Sequence, residues 1–530
     1  MMPKETSKPI LIIGSGIAGL STAISLAQRG LRSLVITAAA DLPETNTAYA
    51  QGGIIYQGDD PDSDSQALEN DIIRAGANVN YLPAVRQLIT EGPRFVEEIL
   101  LKKAKVPFDK DETHAHYHLT REGGHSATRI IHRADESGRA IEDALLSYAK
   151  TLPEIEFLGG ATAVNLLMTS FHASDRSIRH GEARCFGAFV FFQKTRTVEP
   201  VFSAHTVLAT GGIGQLFLHS TNGKFSRGDG IALAYRAGCR LENLEYVQFH
   251  PTTFFQATGP RFLISESLRG EGAYLINQKG ERFLTMRLPG LATPELAPRD
   301  KVAQAIHEEM LATGAPCVYL SISHKPATWI KERFPFIYKT CLRYGIDTTQ
   351  EPIPVVPGAH YHCGGIWTDL SGRTSVSHLW AAGEVACTGL HGANRLASTS
   401  LLEGLVWGSK AGESIAASVE KDGEPILPEI EPWKSETGNI DPSFLTQDWL
   451  TLKHTMWNYV GLIKTDLRLE RAQGILGELS RGIDRFYRHA ALSDELIGLR
   501  HASLVARLVV EASLRNRRSL GCYLRDESSV

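Results

Sequence analysis

The chain has no CxxC pair and no even set of cysteines: Cys185, Cys239, Cys317, Cys341, Cys363, Cys387 and Cys522 are scattered through 530 residues. That spacing offers neither a disulfide framework nor a metal cluster, and it reads as reduced thiols. No apolar run approaches the roughly 18 residues needed to span a bilayer. The polar start, MMPKETSKP, lacks the basic, apolar and cleavage-site order of a signal peptide. Charge of one sign is not in excess: 55 Lys and Arg against 59 Asp and Glu leave a net −4. Nothing therefore draws the whole molecule to nucleic acid or to an anionic membrane, and small anions must be held by local cations. A cytoplasmic protein of several domains is expected, because so long a chain of ordinary composition exceeds one core.

What is present begins with a strand, helix, strand unit. PILII (residues 9–13) reads as a buried strand, IAGLSTAISLAQRG as a helix closed by Gly30, and LRSLVIT as a second strand, which predicts parallel pairing. Residues 64–103 carry helical periodicity, and a glycine- and histidine-rich loop follows at 110–126. From about 155 to 210, short runs rich in Val, Phe and Thr predict an antiparallel excursion that returns to the sheet at HTVLATGG. Residues 446–515 read as amphipathic helix almost throughout.

The expected class is α/β. A Rossmann-like domain occupies 1–245 and resumes at 359–424, an α+β capping domain is inserted at 246–358, and a helical domain fills 425–530.

Gly14, Gly16 and Gly19 form GSGIAG between the first strand and its helix. Gly14 permits a tight turn, Gly16 lets a pyrophosphate approach the backbone, and Gly19 allows helix and strand to pack closely. Ser15, Ile17 and Ala18 lie at the helix N-terminus, whose amides and dipole suit phosphate. The acid that often ends the second strand and binds a ribose is missing, since Thr37 and Ala38 stand there. A ribose contact must come from a hydroxyl, the backbone or elsewhere, and this motif alone does not choose between FAD and NAD.

Three further segments share the order and spacing of a known family. NTAYAQGGI (46–54), LATGG (208–212) followed by GDGIALAYRAG, and AAGEVACTGLHGANRLASTSLLEG (381–404) resemble the succinate dehydrogenase and fumarate reductase flavoproteins over nearly the whole chain. The resemblance implies FAD, contacted by the GSGIAG turn, by Asn46, Thr47, Ala48, Tyr49, Ala50, Gln51, Gly52 and Gly53, by Ala163 and Val164, by Asp229 and Glu384, and by Ser400 and Leu401. Relatives that bind flavin covalently carry a histidine where this chain has Asn46, so noncovalent FAD is expected.

The same resemblance implies a dicarboxylate pocket. Its residues carry over as His250 in QFHPT, Ser265 and Glu266 in ISESLRGEG, Arg299 in APRDKV, His360 in GAHYHCGG and Arg395 in HGANR. An arginine fork matches a carboxylate, and histidine and hydroxyl donors complete it. By family analogy Arg299 is the acid and base. Ser265 replaces the usual threonine and keeps the hydroxyl. His360 and His362 lack a third ligand at useful spacing, so no metal is expected.

Glu122, in LTREGGHSATR (119–129), is where succinate-oxidising relatives carry an apolar residue. A carboxylate there repels a plain dianion and attracts an α-ammonium. LTREGGHS resembles members that oxidise L-aspartate to iminoaspartate, with oxygen (giving hydrogen peroxide) or fumarate (giving succinate) as acceptor. That implies the first step of NAD biosynthesis through quinolinate and a functional link to quinolinate synthase. The alternative is a soluble fumarate reductase or succinate dehydrogenase type of flavoprotein. At the C-terminus Cys522 stands where relatives carry a histidine, and Arg517 and Arg518 read as surface charge.

Overall fold

Strand Ile10–Ile13 is buried along its whole length and pairs in parallel on both edges, as a continuous apolar run between two covered faces should. In the computed structural model it is the centre of a five-stranded parallel sheet, with Leu379–Ala381 and Thr206–Leu208 on one side and Ser33–Thr37 and Ile155–Gly159 on the other. The structure describes residues 8–56, 61–111, 113, 116–256, 261–422 and 427–526. Most of the polar N-terminus, part of the 110–126 loop, part of GEPILPEIEPW and the last four residues lie outside them.

Helix Ile17–Ala27 packs against the long helix Thr399–Asp422. Gly404, Gly408 and Gly412 let the two backbones meet: a Cβ on Gly408 would lie 2.4 Å from the Ala18 carbonyl oxygen. One glycine per turn along GLVWGSKAG thus serves close packing.

The antiparallel excursion is present but starts later than expected. Ile155–Gly159 belongs to the parallel sheet, paired with Ser33–Thr37, and the excursion consists of Ala161–Met168, Cys185–Phe192 and Thr197–Phe202. Gly160, with φ +67°, lies at the switch between the two sheets.

A four-stranded antiparallel sheet, in the order Val247–Phe254, Ile353–His362, Val318–Ser321, Tyr274–Ile276, carries helix Arg299–Thr313. Phe254, Leu275, Ile306, Leu320 and Phe334 give this part its own core. Strand Ile353–His362 runs straight through position 358, where the sequence reading set a boundary.

Helices Pro442–Val460, Asp466–His489 and Asp494–Arg515 pack together, and their Leu452, Met456, Leu476, Leu499 and Val509 share one apolar cluster with Leu208, Ile231 and Phe249 of the body. Among the described residues no helix is long and apolar enough to cross a membrane.

Candidate active site

The C-terminal ends of the parallel strands open on a cleft that encloses about 1400 Å³, its mouth included. This is where open α/β sheets place ligands. Gly14, Ser15, Gly16, Ile17, Ala18, Asn46, Thr47, Tyr49, Ala50, Ala163, Asp229, Glu384, Ser400 and Leu401 all line it, as do Thr37 and Ala38 at the end of the second strand.

The glycine turn is built for close approach. Gly14 has φ +121°, and a Cβ there would lie 2.1 Å from the Ala209 carbonyl oxygen. Gly19 lies beneath, where a Cβ would meet the Gly14 carbonyl oxygen at 2.0 Å. Gly16 is the N-cap of Ile17–Ala27 and has no side chain to cap it, so the positive end of the helix dipole faces the cleft. Thr47 Oγ1 accepts from the Ile17 amide at 3.0 Å.

Asn46 joins two walls: its Nδ2 donates to Ser226 Oγ at 2.8 Å and to Glu384 Oε2 at 3.4 Å, while its Oδ1 accepts from the Gly223 amide at 3.0 Å. Burial pushes the Glu384 carboxyl up to about 7, although the His362 amide donates to it at 3.0 Å. Ser400 and Leu401 lie in the first turn of Thr399–Asp422, so a 24-residue helix points its positive end into the cleft.

Several expected cofactor contacts lie elsewhere. The Val164 side chain packs on the opposite face of its strand, beside Phe189 and Ile497, and its carbonyl accepts from Arg236. Ala163 lines the cleft together with Ala161 and Thr162 of the same strand. Ala48, Gln51, Gly52 and Gly53 also stand behind the lining: Gln51 Nε2 donates to the Leu263 carbonyl, and Gly53 is pressed against Ile131. Asp229 reaches the cleft but is held in a structural ion pair with Arg227 at 2.8 Å. Burial pushes the Asp229 carboxyl up, yet Arg227 and His501 hold it below its usual range.

At the inner end of the cleft, next to His360 and Arg395, the predicted dicarboxylate residues converge. Arg395 donates from Nη1 to Ser400 Oγ at 2.9 Å and from Nη2 to Gln248 Oε1 at 3.1 Å, with its Cζ 4.5 Å over the Tyr361 ring. The His250 and His360 rings are 5.1 Å apart. The Thr252 amide donates to His250 Nδ1, which leaves Nε2–H as the donor, and Thr221 Oγ1 engages His360 Nδ1 at 2.8 Å. Burial and the neighbouring arginines hold both rings well below the usual histidine range, so they are neutral near pH 7.

Arg299 opens helix Arg299–Thr313 and donates from Nε to Glu266 Oε2 at 2.5 Å, while the fully buried Arg269 lies 3.7 Å from Glu266 Oε1. Burial pushes Glu266 up, but Arg299 and Arg269 hold it below its usual range. Ser265 Oγ accepts from the Ser267 amide and so also caps a short helix. Arg299 Nη1, Arg395 Nε and Gln51 Oε1 are buried with no protein partner among the described residues. Two such unmatched guanidinium donors beside two neutral imidazoles fit a small dianion.

Glu122 pairs with neither Arg121 nor Arg129. Its Oε2 accepts from Ser398 Oγ at 2.7 Å, and its Oε1 rests against Gly52, whose Cβ would lie 2.5 Å away. Burial pushes its carboxyl up, with Arg299 as the strongest opposing charge. His362 bonds the Leu244 carbonyl through Nε2 and takes no part in the His250 and His360 pair. Among the described residues no cluster could hold a metal ion.

Gln248, Thr221 and Ser398 were missed by the sequence reading. Gln248 had a readable signal: it lies two residues before His250 in a buried strand and therefore on the same face. Thr221 and Ser398 act across 139 and 276 residues of chain, which no local pattern encodes.

Fold and cleft define a flavoprotein. The family described as FAD binding domain matches residues 9–401. The quinol fumarate reductase of E. coli superposes with a TM-score of 0.83 at 27% identity, covering 98% of this chain and 91% of that one. An L-aspartate oxidase of Pseudomonas aeruginosa is 42% identical, with 98% of this chain and 96% of that protein covered, and one of Halobacterium salinarum is 39% identical over 100% and 98%. The chain belongs to the L-aspartate oxidase family, within the succinate dehydrogenase and fumarate reductase flavoproteins. Its cofactor is FAD, and the glycine cradle and the two helix N-termini fit that group.

Proposed function

We propose that the protein oxidises L-aspartate to iminoaspartate, passing the electrons to oxygen, which gives hydrogen peroxide, or to fumarate, which gives succinate. The observation that carries this reading is Glu122, a carboxylate fixed by Ser398 and Gly52 at the edge of a site built from Arg299 and Arg395.

Arg395 and His360 hold one carboxylate of the substrate, and Arg299 with His250 holds the other. Glu122 receives the α-ammonium. A unit charge 4 Å from Glu122 is worth about 4 kcal/mol at an effective dielectric of 20, attractive for an ammonium and repulsive for an added carboxylate. That reversal of sign separates aspartate from succinate. Bound FAD supplies the acceptor for the hydride that leaves Cα. The chain orients Cα, excludes water and manages protons. Arg299 exchanges a proton with a dicarboxylate through Glu266, the one carboxylate bonded to it, and Arg269 keeps Glu266 ionised.

Residues 246–358 act as a capping unit that carries Ser265, Glu266 and Arg299 over the cleft. We place the protein in the cytoplasm, ahead of a quinolinate synthase. An imine product hydrolyses in water, so a consuming enzyme must take it up quickly.

The second reading, a soluble fumarate reductase or succinate dehydrogenase type, draws on the same arginine and histidine set. Anaerobic addition of L-aspartate to purified protein decides between them. The proposal expects the flavin absorbance to bleach. Turnover of succinate with an artificial acceptor and no bleaching by L-aspartate supports the second reading.

A further inference from the structure

Ser398 occupies the left-handed backbone region at φ +57°, a conformation that a side chain other than glycine adopts at a cost. It directly precedes helix Thr399–Asp422 and is almost fully buried. What this strained position holds is a hydroxyl: Ser398 Oγ donates to Glu122 Oε2 at 2.7 Å. Gly52 closes the other side of the carboxylate, so Glu122 is confined between two backbones that belong to different parts of the chain.

The two segments are joined a second time, next to that bond. His125 Nε2 bonds the Ala397 carbonyl at 2.9 Å, and His125 Nδ1 meets Arg129 Nη1 at 2.9 Å. An arginine can only donate, so Nδ1 accepts and Nε2–H is the donor to Ala397. Arg129 is itself fully buried and pinned by Asp64 at 2.6 Å and Asp71 at 2.9 Å. Asp71 also accepts from the Ser126 amide and hydroxyl. Behind Glu122 the loop 122–129 is therefore anchored, and only the tip that carries the carboxylate depends on Ser398.

We propose that Ser398 is a positioning residue for substrate selection: its hydroxyl aims the Glu122 carboxylate at the amine of an amino dicarboxylate. This rests on the reading of Glu122 as the ammonium acceptor. The charged groups acting on Glu122 are Arg299 and Glu266 from the cap and Arg395 from the segment that also carries Ser398. Burial and Glu266 disfavour the carboxylate, whereas the arginines and the Ser398 hydroxyl favour it. An arginine bound to a substrate carboxylate has less to offer Glu122. The neutral hydroxyl remains committed to it.

The test uses the FAD-loaded enzyme and the Ser398→Gly variant, which suits the backbone at φ +57° and removes the hydroxyl together with its methylene. The expected result is a rise of about tenfold in the ratio of KM for L-aspartate to KM for fumarate, the loss typical of a hydrogen bond to a charged group. The acid limb of kcat/KM for L-aspartate should move up by about one pH unit, which is the same free energy read as a pKa. Added to Glu122→Gln, Ser398→Gly should change the ratio less than about twofold, because the two act through one carboxylate. Ser398→Ala, which deletes the same hydroxyl, should repeat these results.

An unchanged ratio in Ser398→Gly, or full additivity with Glu122→Gln, overturns the proposal. If Glu122→Gln itself leaves the ratio unchanged, the reading of Glu122 fails and Ser398 falls with it. A strong effect of Glu122→Gln with a silent Ser398→Gly removes the Ser398 role alone.

Discussion

Arg299 Nε and Glu266 Oε2 lie 2.5 Å apart, and Glu266 has Arg269 on its other oxygen. A guanidinium does not give up a proton in water, but this one is bonded to a buried carboxylate with a second cation behind it.

Glu266→Gln keeps the shape of the contact and removes the proton acceptor. We expect fumarate reduction to fall by about 10² to 10⁴, the usual contribution of a positioned acid or base. Binding of succinate, followed as a perturbation of the flavin spectrum, should change far less. Equal losses in binding and rate mean that Glu266 only builds the pocket.

FAD should be noncovalent. Asn46 uses its amide on Ser226, Glu384 and Gly223, and an amide offers no nucleophilic ring nitrogen to the flavin. Acid precipitation should leave the yellow colour in the supernatant. A fluorescent protein band on a denaturing gel contradicts this.

Gly14→Ala should give a colourless protein. The added Cβ would lie 2.1 Å from Ala209 in a conformation, φ +121°, that alanine avoids, so the turn must shift and the cradle opens. Flavin content per chain, read from the absorbance spectrum, checks it.

Glu142 is fully buried on helix Ser137–Ala149, and burial pushes its carboxyl up to about 8. A raised carboxyl means the folded state holds the proton more tightly than the unfolded one. Its favourable contribution is present below the ordinary value of 4.5 and is lost as pH rises to about 8. Glu142→Gln should therefore melt close to the parent at pH 5 and at a higher temperature at pH 8. The gap is of the order of 4 kcal/mol at most. A variant that melts lower than the parent at pH 8 contradicts it.

Legibility followed the range of the interactions. Gly14 and Ile10–Ile13 were readable because turn chemistry and a short apolar run are local signals. Arg299, Arg395, His250 and His360 were readable only as family motifs, since burial and the choice of ring nitrogen depend on neighbours far away in the chain. The Val164 side chain packs away from the cleft, beside Phe189 and Ile497, a packing partner that no local pattern encodes. The start of the antiparallel excursion was missed because Ile155–Gly159 and Ala161–Met168 follow each other with one glycine between them, and only pairing assigns them to different sheets. The helical C-terminus looked independent from periodicity alone, yet its apolar face completes the core of the body.

The most direct measurement compares Glu122→Gln with the parent enzyme on L-aspartate and on succinate. Removing the charge should lower kcat/KM for L-aspartate by about 10², short of the full pair energy near 4 kcal/mol, and should tighten succinate binding. Opposite signs for the two ligands support Glu122 as the selector of the amine. Equal weakening of both contradicts it.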